Sequence, residues 1–186
     1  MRYLTEEEIK ALIKEIPSER FKLAIKVGFL HGLRVSEVIG LTRENIKDGY
    51  VNVQRLKGSM RTIQPFVRHA DPELDESEGL TKLYSTLKFR ERLFPITRNG
   101  MHKMVQRAGT RAGIPKHKLH MHSLKHSCAM LSIEKLGIQN VRQYLGHKSI
   151  SSTGEYLKVS DEEASQAFAN AMKSKSETQE RFGTIA

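Results

Sequence analysis

His122 and Lys125 stand three residues apart, and Leu145-Gly146-His147 and Tyr156 follow them along the chain. A lysine and imidazoles gathered around a phenol can bind an anionic group, and the phenol becomes a nucleophile once a base takes its proton. The spacing puts His122 and Lys125 on one face of a helix, with Met121, Leu124, Cys128 and Leu131 as an adjoining apolar stripe that can be buried. Gly137 is predicted to end that helix. Ile138, Val141 and Leu145 give a second, short stripe closed by Gly146, so that His147 directly follows a cap. A third helix is predicted to start between Ser149 and Ser152, with Ser152 and Glu155 as a capping box and Tyr156 just past its start.

The upstream chain supplies the scaffold. Thr5 and Glu8 form a capping box, Leu4 and Ile9 a hydrophobic staple, and Ile9, Leu12, Ile13 and Ile16 a helical stripe. Pro17 stops that helix and Ser18 caps the next. Its apolar residues, from Phe21 to Leu30, fall on nearly all sides and predict a central position ended by Gly32. Asp48-Gly49 between Ile46 and the alternating Tyr50-Val51-Asn52-Val53 is a strong hairpin signal. A second turn at Lys57-Gly58-Ser59 leads into a third strand from Arg61 to Phe66. The acidic run from Asp71 to Glu78 precedes a helix through Leu80, Leu83, Tyr84 and Leu87, whose dipole those carboxylates would complement. Thr97 caps a helix carrying Met101, Met104, Val105 and Ala108 that stops near Gly113-Ile114-Pro115. Lys116 to His120 form a basic connector, suited equally to a solvated loop and to phosphate contact. The fold class read from these elements is mainly α with a small three-stranded antiparallel β-sheet.

Two separated blocks carry a family resemblance. Gly32-Leu33-Arg34-Val35-Ser36-Glu37, with Leu41 beyond it, is one; His122-Ser123-Leu124-Lys125-His126, Leu145-Gly146-His147 and Tyr156 are the other. Together they resemble the catalytic domain of the tyrosine recombinases, the phage integrase family of site-specific DNA recombinases. The likeness runs from Leu4 to about Met172. It departs at Lys125, where the family usually has arginine. On their own, Arg34 would be read as pairing with a surface carboxylate, Lys57 as a solvated hairpin lysine, and Glu37 as a brace for the arginine or the fold.

The resemblance implies a metal-independent strand breakage and rejoining, with no cofactor, through a 3′-phosphotyrosyl link on Tyr156. Arg34 and Lys125 would meet the charge on the non-bridging oxygens, and His122 and His147 would donate further hydrogen bonds. His122 is the preferred acceptor of the tyrosine proton, and Lys57, at the hairpin tip, the acid for the 5′-oxygen. The implied partners are double-stranded DNA and further copies of the chain, a tetramer on paired recombination sites, with the weakly apolar Ala164–Met172 segment as a docking helix. Residues 1–173 form the expected catalytic domain and 174–186 a polar tail. A recombinase-fold DNA-binding regulator with weak or no activity is the alternative left open, and a type IB topoisomerase would share the chemistry.

Composition agrees with a nucleic-acid partner: 31 lysines and arginines against 21 acidic residues give a net charge of +10 and a pI near 9.8. At 186 residues the chain can bury one good core. Its single cysteine, Cys128, lies on an apolar stripe and reads as a buried structural thiol. No stretch approaches a membrane span, so the expected setting is the cytoplasm, nucleoid-associated, of a bacterium, an archaeon or a phage host. His122 and His126 have the i, i+4 spacing of a zinc helix. Ser123 stands where a metalloprotease needs glutamate, however, and Lys125 would repel a cation.

Overall fold

The computed structural model describes residues 3–56, 59–120 and 122–149, all within one compact unit. Over these residues the chain runs through three helices, a three-stranded sheet and three further helices; the third helix, Val35–Gly40, is an addition to the elements the sequence pattern predicts. The predicted helix at Ser149–Ser152, the Ala164–Met172 segment, the 174–186 tail, Lys57 and Tyr156 lie outside or at the edge of the described residues.

Helix α1 (Glu6–Lys14) starts at the expected capping box: Thr5 Oγ1 accepts from Glu8 N at 3.2 Å, and the Glu8 carboxylate accepts from Thr5 N at 2.9 Å. Its Ile9, Leu12 and Ile13 are buried, as is Ile16 just beyond it. Leu4 is fully buried, and its N–H donates to Ser127 Oγ at 2.8 Å, which ties the start of the chain to the signature helix. Helix α2 (Glu19–Leu30) buries Leu23, Ala24, Ile25, Val27 and Phe29 and is central. Ser18 occupies its N-cap position without a side-chain hydrogen bond. At its other end Gly32 takes φ +56°, and a Cβ there would sit 2.2 Å from Leu145 Cδ2; only glycine fits this close approach.

Helix α3 (Val35–Gly40) follows at once, with Arg34 at its N-cap. The sheet then runs β1 (Ile46–Lys47), β2 (Tyr50–Val53) and β3 (Thr62–Pro65), antiparallel in that order. Asp48 and Gly49 have φ of 50° and 78°, the paired left-handed conformations of a two-residue hairpin turn. The register opposes Ile46 to Val51, Val51 to Gln64 and Val53 to Thr62, placing Val51, Val53 and Gln64 on the inner face and Tyr50 and Ile63 in solvent.

Helix α4 (Ser77–Thr86) corrects one expectation. Of the acidic run, only Glu78 lies in the first helical turn. Asp75 accepts from both Ser77 N (3.0 Å) and Ser77 Oγ (2.8 Å), Asp71 pairs with Lys10 at 3.0 Å, and Glu76 is wholly buried against His31. These carboxylates work as individual caps and buried partners, since each finds a nearer donor than the dipole.

Thr97 caps helix α5 (Arg98–Arg111), which buries Met101, Val105 and Ala108 and ends before Gly113 at φ +71°. In the basic connector, a short 3-10 turn at Lys116–Lys118, Lys118 Nζ holds both Glu8 oxygens at 2.7 and 2.8 Å, while Lys116 and His117 are exposed. Helix α6 (Ser123–Tyr144) breaks at Gly137 (φ 73°, ψ 158°), giving the two predicted pieces. Gly146, at φ +68°, closes the second piece, and its carbonyl accepts from Met60 N at 2.9 Å. A Cβ on Gly146 would fall 2.6 Å from Met60 O, so glycine here lets the hairpin lie against the end of α6.

Candidate active site

Three of the predicted site residues come together, each delivered by a different piece of backbone. Arg34 sits at the start of α3, Lys125 one turn into α6, and His147 just past the Gly146 cap. At their centre is Glu37. Its carboxylate accepts from Arg34 N (2.8 Å), Arg34 Nη1 (2.9 Å), Leu56 N (2.9 Å) and Arg55 Nη1 (3.5 Å), so the brace expected of Glu37 extends from α3 to the hairpin. Arg34 Nη1 also donates to Leu56 O at 3.1 Å, which brings the catalytic-type arginine to the base of the loop bearing Lys57.

Lys125 is 5% exposed, and its Nζ donates to Leu145 O at 3.3 Å, beside His147. Burial, reinforced by the nearby Arg55 and Arg34 guanidiniums, pushes its ammonium down to about 7 despite the opposing Glu37. His147 is likewise pushed down to about 4, by burial first and then by Lys125, Arg34 and Arg55, so its ring is neutral at pH 7. Burial alone would raise the Glu37 carboxyl. The backbone N–H groups of Leu56 and Arg34, with the charges of Lys125 and Arg55, outweigh that and hold it below its ordinary value. The arrangement gathers the basic side chains of Arg34, Arg55 and Lys125 around one carboxylate.

His122 occupies the N-cap position of α6 (φ −107°, ψ −2°) and is exposed, whereas Lys125, three residues on, is buried. The His122 ring lies 6.3 Å from that of His126, which lies 5.9 Å from that of His120, each pair edge to face. Lys57 and Tyr156 lie outside the described residues. Cys128 is the buried thiol expected, contacting Leu30 O at 3.8 Å, with burial raising it to about 11.

Arg55 is the functional-site residue that the motif reading did not include. Its side chain is fully buried, and it donates to Thr62 Oγ1, Gly32 O, His31 O and Tyr144 O at 2.9–3.0 Å as well as to Glu37. The signal was available: alternation inward at Val51 and Val53, carried on by two residues, turns Arg55 inward too. Among the described residues, no group of three or more histidine, cysteine or acidic side chains is placed to hold a metal ion, and no helix is long and apolar enough to cross a membrane.

Residues 2–163 match the model of the phage integrase family. The chain belongs to that family. Tyrosine recombinase XerA from Pyrococcus furiosus is 34% identical over 181 residues, which are 90% of this chain; the match spans 61% of the relative's length. The crystal structure of XerA recombinase superposes with a TM-score of 0.67 at 26% identity, covering 91% of this chain and 64% of that one. A lambda integrase dimer bound to a COC′ core site shares the fold at a TM-score of 0.68 and 21% identity, over 83% of this chain and 47% of that one. As a member of the tyrosine recombinase family, the chain has the mainly helical catalytic-domain fold with its small antiparallel sheet.

Proposed function

We propose that this chain is a site-specific recombinase catalytic domain that cuts and rejoins duplex DNA through a covalent link on Tyr156. The convergence of Arg34, Lys125 and His147 around Glu37 carries this reading, because it builds a cationic, partly desolvated seat for one phosphodiester. The Tyr156 oxygen attacks the phosphorus, forming the 3′-phosphotyrosyl bond as the bond to the 5′-oxygen breaks. A free phenol has a pKa near 10, so the attack needs a base, and His122 takes the proton. Lys57 returns a proton to the departing 5′-oxygen. Arg34 and Lys125 stabilise the added charge on the non-bridging oxygens, and neutral His147 donates one hydrogen bond to them.

The protonation of Lys125 fits a site that waits for an anion. Ringed by Arg34 and Arg55, it loses its proton readily. A phosphate offsets those cations and draws the proton back, so substrate binding and charging of Lys125 occur together. The 5′-hydroxyl of a second duplex can reverse the cleavage, since the phosphotyrosyl bond keeps the phosphodiester's energy. Double-stranded DNA is the partner in this reading, bound with steep salt dependence through the excess of basic residues, and four copies assemble on paired sites. The lambda integrase of like fold, a dimer bound to a COC′ core site, supports that choice of partner.

One observation favours a second reading, a DNA-binding regulator of the same fold. Lys125 offers a compact charge where the family usually has a planar fork. The test for both is incubation with nicked duplexes from the flanking genome. A covalent protein–DNA adduct that disappears in Tyr156→Phe establishes the recombinase; DNA binding with no adduct establishes the regulator.

A further inference from the structure

A guanidinium has five N–H donors, and every one of Arg55's is used inside the protein. Nε–H goes to Thr62 Oγ1 (3.0 Å), Nη1 to Gly32 O (2.9 Å) and Glu37 Oε2 (3.5 Å), and Nη2 to His31 O and Tyr144 O (both 3.0 Å). With its side chain fully buried, Arg55 keeps no donor for a phosphate. Its partners come from four separate pieces: the returning hairpin strand, the carbonyls that end α2, the brace of Arg34, and the last turn of α6 ahead of His147. A Cβ on Gly146 would lie 3.1 Å from Arg55 Cγ, so the arginine stem also underlies the cap that presents His147.

We infer that Arg55 is a positioning residue for the strand-transfer chemistry, a buried fork that fixes the hairpin, the Arg34–Glu37 pair and the His147 cap in one register. This rests on the function proposed above. Lys57 follows Arg55 by two positions in the sequence. No single residue besides Arg55 joins these four pieces among the hydrogen bonds of the described residues. A lysine there would keep a charge yet offer three donors without the fork.

The anchor has an electrical consequence as well. Lys125 is faced by Arg55 from the end of β2, by Arg34 and Glu37 from α3, by Cys128 on its own helix, and by His147 beyond α6. Arg55 is the largest of the charges that depress it. If charged Lys125 holds the phosphate, cleavage is full below its pKa and falls as pH rises through it. Removing the Arg55 charge moves that alkaline limb to higher pH, and Arg55→Lys leaves it in place.

The experiment measures single-turnover adduct formation by the full chain on a nicked duplex, across pH, alongside DNA affinity and thermal melting. Arg55→Lys is expected to slow adduct formation by about 10- to 100-fold at unchanged DNA affinity, because displaced groups lose alignment with the phosphorus. Arg55→Met is expected to be slower still, with its alkaline limb displaced upward. A residue that only supports the fold would lower melting without moving that limb in the folded protein. Should Arg55→Met fail to fold, Thr62→Val, which deletes one acceptor, is read instead and is expected to slow the reaction by about threefold. Wild-type rates in folded Arg55→Lys and Thr62→Val overturn the inference alone. A wild-type chain that forms no adduct on any flanking duplex overturns the proposed function, and this inference with it.

Discussion

Two buried polar clusters meet at the end of α2 and of α6, and they are built on opposite principles. In the first, Arg34, Arg55 and Lys125 surround a single carboxylate, Glu37. In the second, fully buried His31 bonds Glu76 Oε1 at 2.5 Å and Gln64 Oε1 at 3.0 Å, while Gln64 Nε2 donates to Tyr144 O at 2.8 Å and Tyr144 Oη to Leu30 O at 2.9 Å. The second cluster sets one carboxylate against His31, leaves Glu76 Oε2 buried without a hydrogen-bond partner among the described residues, and joins α2, α4, β3 and α6. The first retains more positive charge than its own residues offset. A fold with no use for that excess would be more stable without it, because desolvated, uncompensated cations are unfavourable. The difference in charge supports the proposal that the first cluster receives a phosphate.

The severest test of this contrast is removal of Glu37. Glu37→Gln keeps the shape but strands three cations, and breaking a buried ion pair in this way is expected to destabilise the fold by about 3–5 kcal/mol and abolish adduct formation. Urea unfolding measures the first effect and trapping on nicked DNA the second. The loss should also follow pH. The Glu37 carboxyl is held below its ordinary value, so its contribution is present above that value and fades as pH falls through the depressed one. A small change in stability would mean that the surplus charge is compensated elsewhere.

Lys125→Met should separate activity from stability. Loss of one charge-stabilising donor is expected to slow cleavage by about 10²–10³-fold. The sign for stability is the reverse. Between about 7, the folded value, and the ordinary 10.5, the unfolded chain carries a proton on this lysine that the folded chain does not. Wild-type stability therefore rises with pH across that window, and Lys125→Met should abolish the rise. A variant whose stability still rises from pH 7 to pH 10 with the wild-type slope would assign the pH dependence to another group.

In the His31 cluster the pattern should invert. Glu76→Ala removes the acceptor used by His31 and by Val67 N (3.1 Å) and is expected to lower stability by about 1.5–3 kcal/mol, with the cleavage rate of the folded fraction unchanged. A cleavage defect out of proportion to unfolding would show that the two clusters act as one.

Much of this scaffold is legible in the chain because short-range physics decides it. The Thr5–Glu8 box, the Asp48-Gly49 turn, the Thr97 cap and the Gly137 break each depend on residues within a few positions, and all appear where expected. Arg34, Lys125 and His147 stand out through motif spacing, and the Gly32 and Gly146 boundaries that help position Arg34 and His147 are readable from the sequence. What escaped depends on long-range partners. Glu76 looks like one more acidic residue ahead of a helix until His31, 45 positions earlier, is packed against it. Arg55 looks like a hairpin cation until Tyr144, 89 positions later, supplies its acceptor.

The mildest change is also the most pointed. Lys125→Arg restores the fork that the family usually carries at this position, and an arginine stays charged at any working pH. The effect on cleavage at neutral pH is expected to be small, preserved or raised within about 1 kcal/mol, because a bound phosphate already draws the proton onto the lysine. The alkaline limb is another matter. In the wild type, cleavage should fall above about 7 as free Lys125 loses its proton; in Lys125→Arg that fall should disappear. A variant that cleaves more slowly at every pH would mean that the buried space beside Leu145 O is shaped for an ammonium. The site would then have been rebuilt around lysine, and the surplus of charge in this cluster would reflect packing as much as catalysis.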